Sequence, residues 1–186
     1  MSQPLWVATR KGLFQLHASD GWRPGTPAFL GDPVSMVLDD RRDGAVYAAL
    51  NLGHFGSKLH RSGDRGATWT EVGVPSYAGV PAVSRPPSAD GAPATAEPPT
   101  LKMIWALEAA DPARPGSLWC GTIPGGLFRS DDGGSSWQLN TALWDDPKRL
   151  EWVGGGADYP GIHSVSVDPR DPRRVASELR RELLHL

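Results

Sequence analysis

Short apolar runs, separated by breaks of Gly, Asp and Pro, recur along the whole chain. Leu5-Trp6-Val7-Ala8-Thr9 predicts a first strand and Lys11-Gly12-Leu13-Phe14-Gln15-Leu16 a second. Three later runs, Val34 to Leu38, Met103 to Leu107 and Val165 to Val167, each lead to an Asp. Asp39 lies seven residues before Val46, Asp111 seven before Leu118, and Asp168 seven before Val175, and each of those residues opens another run. The repeating unit is strand, Asp-containing turn, strand, Gly-rich connection, strand, turn, strand. A period of this kind is the mark of a repeat architecture.

The last turn of the unit carries its own signature. Ser130-Asp131-Asp132-Gly133-Gly134-Ser135-Ser136-Trp137 reads Ser-x-Asp-x-Gly-x-Ser-Trp, and Ser62-Gly63-Asp64-Arg65-Gly66-Ala67-Thr68-Trp69 has the same form. Ser19-Asp20-Gly21-Trp22 is a degenerate copy. Gly12-Leu13-Phe14 and Gly126-Leu127-Phe128 both lead into such a turn. The Asp side chain accepts from backbone N–H groups of the turn, Gly takes positive φ without steric cost, and Trp buries its ring beside the hairpin. Ser62, Asp64, Gly66, Trp69, Ser130, Asp132, Gly134 and Trp137 are therefore read as structural.

Leu5 to Val46 is 41 residues and Val46 to Leu118 is 72. The longer interval holds 75–100, rich in Pro, Ala and Ser and without a period, which is expected to be a mobile surface loop. Without it the interval falls to 46 residues, within the roughly 40–50 of a propeller blade. A second insertion runs from Leu143 to Ile162. The repeat is abandoned after Val175: Leu179, Leu183 and Leu186 share one helical face, so 176–186 is expected to be a helix-prone tail outside the repeat. The expectation is an all-β partial β-propeller over 1–175, with about three four-stranded blades and the start of a fourth. Such a chain is the N-terminal part of a longer propeller, or a half-propeller closed by a second copy.

Composition narrows the function. The 186 residues carry a net charge of −2, so no basic field calls for nucleic acid. Arg170, Arg173, Arg174, Arg180 and Arg181 read as a solvated surface. A single cysteine, Cys120, excludes an internal disulfide and sits in an apolar run as an inert core thiol. Neither a leader pattern nor a stretch near the roughly 18 apolar residues of a membrane span is present, and a cytoplasmic protein is expected.

The two octapeptides resemble the Asp-box, or BNR repeat, of sialidase-like β-propellers. The resemblance extends from about Leu5 to Val175. It also draws on Asn51-Leu52-Gly53-His54-Phe55-Gly56 and on Gly154-Gly155-Gly156-Ala157-Asp158-Tyr159-Pro160-Gly161-Ile162-His163. It implies boxes on the outer turns of the blades, away from a central ligand site. True sialidases of this kind clamp a substrate carboxylate with three arginines and use a Tyr–Glu nucleophile with an Asp acid/base. Their Arg-Ile-Pro motif has only Thr122-Ile123-Pro124 as a counterpart here. The reading favoured is a scaffold that presents loops to a ligand or partner. The alternative is an exo-α-sialidase-like glycosyl hydrolase acting on glycans when the propeller is complete.

The most site-like stretch is 151–163, which mixes acids, aromatics, glycines and a histidine. Glu151, Asp158 and His163 are the catalytic candidates. The two acids form the carboxylate pair that glycoside hydrolysis needs, or solvated loop acids, or Asp158 pairs with His163. His54, Trp152 and Tyr159 are the ligand-binding candidates, the two aromatics offering flat faces for sugar rings. His54, Asp158 and His163 are too few for a metal site, so no metal and no cofactor are expected. The partners expected are a glycan or small ligand, and a second copy through the unclosed blade. Nucleic acid and membrane are not expected.

Overall fold

The computed structural model describes residues 4–19, 21–84, 96–152, 159–179 and 182–185. Four antiparallel sheets follow one another along the chain. The first holds β1 (Leu5–Thr9), β2 (Gly12–Ser19) and β3 (Gly21–Pro24) in sequence order. The second holds β4 (Val34–Asp40), β5 (Ala45–Asn51), β6 (Ser57–Ser62) and β7 (Thr70–Val72). A two-stranded ribbon, β8 (Val83–Ser84) with β9 (Ala96–Glu97), lies within the Pro-rich insertion. The third sheet holds β10 (Met103–Ala109), β11 (Leu118–Ile123), β12 (Leu127–Ser130) and β13 (Gln138–Leu139). The fourth holds β14 (Ser164–Val167), β15 (Val175–Leu179) and β16 (Glu182–His185).

The sheets are blades. β4 lies beside β10, and β10 lies beside β14, so the first strands of the second, third and fourth sheets stand side by side around one axis, with β1 of the first sheet beside β4. This is a β-propeller arrangement. β5 and β11 read as continuous apolar runs because both of their faces are covered: Ala45 to Leu50 and Leu118 to Ile123 are all buried.

The blades pack through three apolar layers. Leu13, Trp6 and Ala8 of the first sheet meet Val34, Ala48 and Leu50 of the second. Tyr47, Ala49 and Leu59 of the second meet Leu107, Leu118, Cys120 and Phe128 of the third. Trp119 and Leu127 of the third meet Ile162, Val165 and Val175 at the fourth. Burial holds the Cys120 thiol pKa well above its ordinary value.

The first sheet starts one strand late. Trp6 of β1 presses on Gly66 of the second sheet's octapeptide, just as Tyr47 of β5 approaches Gly133 of the third sheet's. β1 is thus the counterpart of β5 and β11, the second strands. Among the described residues the sheet has strands two to four of the repeat, and the edge of β1 away from β2 carries no strand.

Two expectations are corrected. The insertion is not a surface loop throughout. Pro75 and Tyr77 are buried, and the Tyr77 ring packs at 5.1 Å on Phe128 and 5.0 Å on Trp144. An aromatic ring between the second and third blades removes more apolar surface from water than a Pro-rich composition suggests. The tail is not helical where it is described. β16 pairs with β15, with Glu178 opposite Leu183 and Ala176 opposite His185. The neighbouring strand edge takes the backbone hydrogen bonds that a helix would have made internally. The fourth blade therefore runs past its opening strand.

Candidate functional site

Antiparallel pairing sorts the connections onto two ends of each blade. Turns between strands one and two, and between three and four, lie at one end. The turn between strands two and three lies at the other, with the connection that enters the blade. Both octapeptides join strands three and four. The 3-10 turn Gly53–Phe55, the turn at 124–126, and the described parts of the connection between β13 and β14, 140–152 and 159–163, all lie at the opposite end.

At the octapeptide end the polar groups serve each other. The Ser130 hydroxyl donates to Asp132 Oδ1 at 2.8 Å and accepts from the Gly134 N–H at 2.9 Å. Asp132 accepts from the Ser136 N–H at 2.9 Å and from its hydroxyl at 2.6 Å. Ser62, Asp64, Gly66 and Thr68 repeat this geometry. The Thr68 hydroxyl and N–H hold the Asp64 carboxyl down at about 2, and the Ser136 hydroxyl and N–H lower that of Asp132. Gly66 and Gly134 take φ of +90° and +87°. A polar cleft of about 480 Å³ lies between the two turns, lined by Asp43, Arg61, Thr68, Asp132 and Ser135. Its cation is already engaged: Arg61 donates to the Tyr47 hydroxyl at 3.1 Å and to Asp43 at 3.2 Å.

The opposite end is built by close backbone approach. The Ile162 N–H donates to the Thr122 carbonyl at 3.1 Å, which docks the incoming connection onto β11. Gly161 lies against Ile123 and the Trp105 ring, with no space for a Cβ. Trp105, half-buried on the leading strand β10, meets the His163 ring edge-on at 5.8 Å and 65°. Beneath them the buried Tyr77 hydroxyl lies 2.6 Å from Thr122 Oγ1 and donates to the Pro124 carbonyl at 2.7 Å. Burial raises the pKa of that phenol, so it stays neutral.

The residues singled out from the sequence are divided by this geometry. His163 stands at the axial rim beside Trp105. His54 lies exposed on the Gly53–Phe55 turn, next to Phe55, which is 82 % exposed. Glu151 is exposed at the end of the 3-10 helix Pro147–Glu151, and Tyr159 is half-buried. Trp152 is a correction. Its ring is buried among Leu127, Leu143 and Ile162 and over Gly125, so it fills the gap between blades and offers no face to a sugar. Asp158, with Gly154, Gly155 and Gly156, lies outside the described residues. Among the described residues no hydrogen bond or ion pair joins Glu151, His54 and His163, and no group of three metal-ligating side chains is present. No helix among them is long and apolar enough to cross a membrane.

Sequence reasoning missed Trp105. It sits at a β-bulge: Ile104 pairs with Thr122 and Ala106 with Gly121, so Trp105 has no partner on β11, and the apolar run Met103 to Leu107 carries no signal of that break.

No family model matches the chain, and no curated protein matches it either. Solved structures do. The GH74 xyloglucanase from Xanthomonas campestris superposes with a TM-score of 0.59 at 18 % identity, over 99 % of this chain and 25 % of that one. YCF48 bound to D1 peptide gives 0.58 at 13 % identity, over 95 % and 44 %. YCF48 from Cyanidioschyzon merolae gives 0.52 at 17 %, over 97 % and 48 %. All are propeller proteins, and the likeness is one of fold. The chain spans less than half the length of each of these chains.

Proposed function

We propose that the chain is a propeller scaffold of the BNR/Asp-box type that binds an extended peptide segment of a partner at its axial rim, opposite the octapeptide turns. The observation that carries this reading is the Trp105–His163 pair. A half-buried indole and an imidazole stand together where the entering connections converge, and exposed Phe55 lies on a loop at the same end. Aromatic groups of this kind supply contact area at little conformational cost. At the other end Asp64 and Asp132 are held by their own turns and Asp131 is paired with Arg129, so the carboxylates there are engaged within the fold. A solved structural neighbour, YCF48, is itself seen with a peptide.

The glycan-cleaving alternative has one observation in its favour. Glu151 is exposed on the connection that feeds the same rim, within reach of solvent for acid/base work.

The test is parallel screening of the chain on arrays of extended peptides and of sialylated and xyloglucan-type glycans. Trp105→Ala and His163→Ala are screened beside Asp132→Ala. The reading expects peptide binding that weakens in the first two variants and survives in the third. Binding confined to glycans, with turnover that depends on Glu151, would transfer the site to the hydrolase reading.

A further inference from the structure

We infer that the rim end of the first two blades docks on an anionic lipid surface, which Phe55 and Leu30 enter as apolar tips. Among the described residues the two most exposed large apolar side chains are Phe55, at 82 %, and Leu30, at 73 %. Both stand at the end opposite the octapeptides, Phe55 on the Gly53–Phe55 turn and Leu30 on the connection that enters the second sheet. The two segments are neighbours. The Asn51 N–H donates to the Pro33 carbonyl at 3.0 Å, and Phe29 and Leu52 pack into one apolar layer. The second sheet has a blade on either side, so it is the turn itself that puts the Phe55 ring in solvent. The equivalent turn of the third sheet is covered instead, with Gly125 under the Trp152 ring and Gly126 against Tyr77. Two single side chains 25 positions apart make no apolar run, so the sequence carries no sign of this surface.

The backbone of both tips is closed on itself. The Leu52 N–H donates to the Gly56 carbonyl at 3.0 Å, the Phe55 N–H to Leu52 at 3.2 Å, and the Gly56 N–H to Gly53 at 3.0 Å. At the other tip the Gly31 N–H donates to the Lys11 carbonyl at 3.1 Å and the Asp32 N–H to Phe29 at 3.0 Å. A loop bonded in this way enters a lipid interface without the cost of unpaired N–H groups. A lipid surface also accepts a projecting ring directly, whereas a protein partner must supply a matching pocket. Charge favours the same occupant. Arg10 and Lys11 on the turn between β1 and β2 are exposed, as is Lys102, whose carbonyl accepts from the Ser57 hydroxyl at 3.2 Å. None of these cations has an ion-pair partner among the described residues. Lys58 and Glu71 pair with each other at 2.7 Å, which leaves Asp32 as the acid beside the tips. At the octapeptide end, by contrast, Arg61 pairs with Asp43, Arg65 with Asp39 and Arg129 with Asp131. Uncompensated cations around apolar tips are what an anionic headgroup layer attracts.

The experiment is co-sedimentation of the full chain with vesicles of phosphatidylcholine alone and of phosphatidylcholine and phosphatidylserine in equal parts, at physiological ionic strength. Leu30→Ser with Phe55→Ser removes the tips, and Lys11→Glu with Lys102→Glu reverses the charge. Arg170→Glu with Arg173→Glu makes the same charge change at the octapeptide end. All six side chains are exposed, which keeps the effect on folding small, and circular dichroism checks it. A polarity-sensitive dye on Phe55→Cys reports the tip itself, since Cys120 is fully buried and escapes labelling. The expected result is binding to the mixed vesicles, weakened about tenfold or more in each rim variant and unchanged in the Arg170 and Arg173 variant. The dye emission shifts to the blue on the mixed vesicles. No binding to the mixed vesicles overturns the inference, and so does equal weakening by the charge changes at the two ends. A dye that stays in water on vesicles but shifts as protein concentration rises overturns it too, and marks contact with a second copy.

Discussion

The Trp137 indole N–H donates to the Gly73 carbonyl at 3.0 Å, across the boundary between the third and second blades. Gly73 in turn lies so close to the Ser135 carbonyl that no Cβ fits there. The octapeptide thus fastens its own blade to the preceding one as well as turning the chain. Trp69 of the second blade has no such acceptor. Its Nε1 is buried without a hydrogen-bond partner among the described residues, and the ring rests edge-on against Trp6 and Phe29.

Trp137→Phe should therefore destabilise the protein by about 1 kcal/mol, the net worth of one hydrogen bond. Trp69→Phe should cost less on the hydrogen-bond side, since no bond is lost. Gly73→Ala should cost about 1–3 kcal/mol through overpacking against backbone. Urea denaturation of the three variants orders them; a Trp69→Phe loss as large as that of Trp137→Phe by hydrogen bonding alone contradicts the assignment.

Arg42 and Asp40 form a second clasp. Asp40 is 1 % exposed, and its guanidinium partner reaches three carbonyls of the third sheet's turn. Arg42→Ala strands a buried carboxylate and should cost about 3 kcal/mol. Arg42→Lys should recover only part of this, because an ammonium lacks the planar fork. Chemical denaturation measures both; full recovery by Lys would show that charge alone matters.

The octapeptide carboxylates make stability depend on acid. Asp64 titrates at about 2 in the folded protein against an ordinary value of 3.8, and Asp132 is lowered in the same direction. A lowered folded pKa contributes stability above the unfolded value and loses it as pH falls through the folded one. The melting temperature should accordingly drop as pH falls from about 4 toward about 2. Asp64→Asn with Asp132→Asn should make that drop shallower. Asp132→Ala, at an exposed turn, should cost about 1 kcal/mol at neutral pH and leave binding intact. An unchanged acid profile in the double variant would place the titration elsewhere.

Tyr77 distinguishes a core segment from a loop. Tyr77→Phe removes the hydroxyl that bonds Thr122 and Pro124 and should cost about 1 kcal/mol. Tyr77→Ala also empties the space against Phe128 and Trp144 and should cost about 3–5 kcal/mol. Melting curves that barely move for Tyr77→Ala would return 75–80 to the surface.

Much of the fold was legible because it rests on local rules. Asp64 and Asp132 mark turns through their own side-chain hydrogen bonds, and the continuous apolar runs that open at Val46 and Leu118 follow from two-sided burial. Tyr77 was not legible. Its burial comes from rings supplied by Phe128 and Trp144, 51 and 67 residues away in the chain, and nothing in the surrounding Pro, Ala and Ser announces it. The tail failed for a related reason. The spacing of Leu179, Leu183 and Leu186 fits a helix locally, but the open edge of β15 offers β16 a partner that a one-dimensional pattern does not contain. At the rim, His163 was found through its unusual neighbours in sequence, whereas Trp105 became visible only when β10 was placed beside the axis. Trp152 was misread as a binding face because composition does not distinguish an aromatic that fills a gap from one that meets a ligand.

The central claim is that the chain binds at the end opposite its octapeptides. Hydrogen–deuterium exchange by mass spectrometry, with and without the tightest peptide from the array, tests it most directly. The account predicts added protection in 52–56, 103–105 and 159–163, with 62–69 and 130–137 unchanged. Protection concentrated in the octapeptide turns, with the rim unaffected, would contradict it.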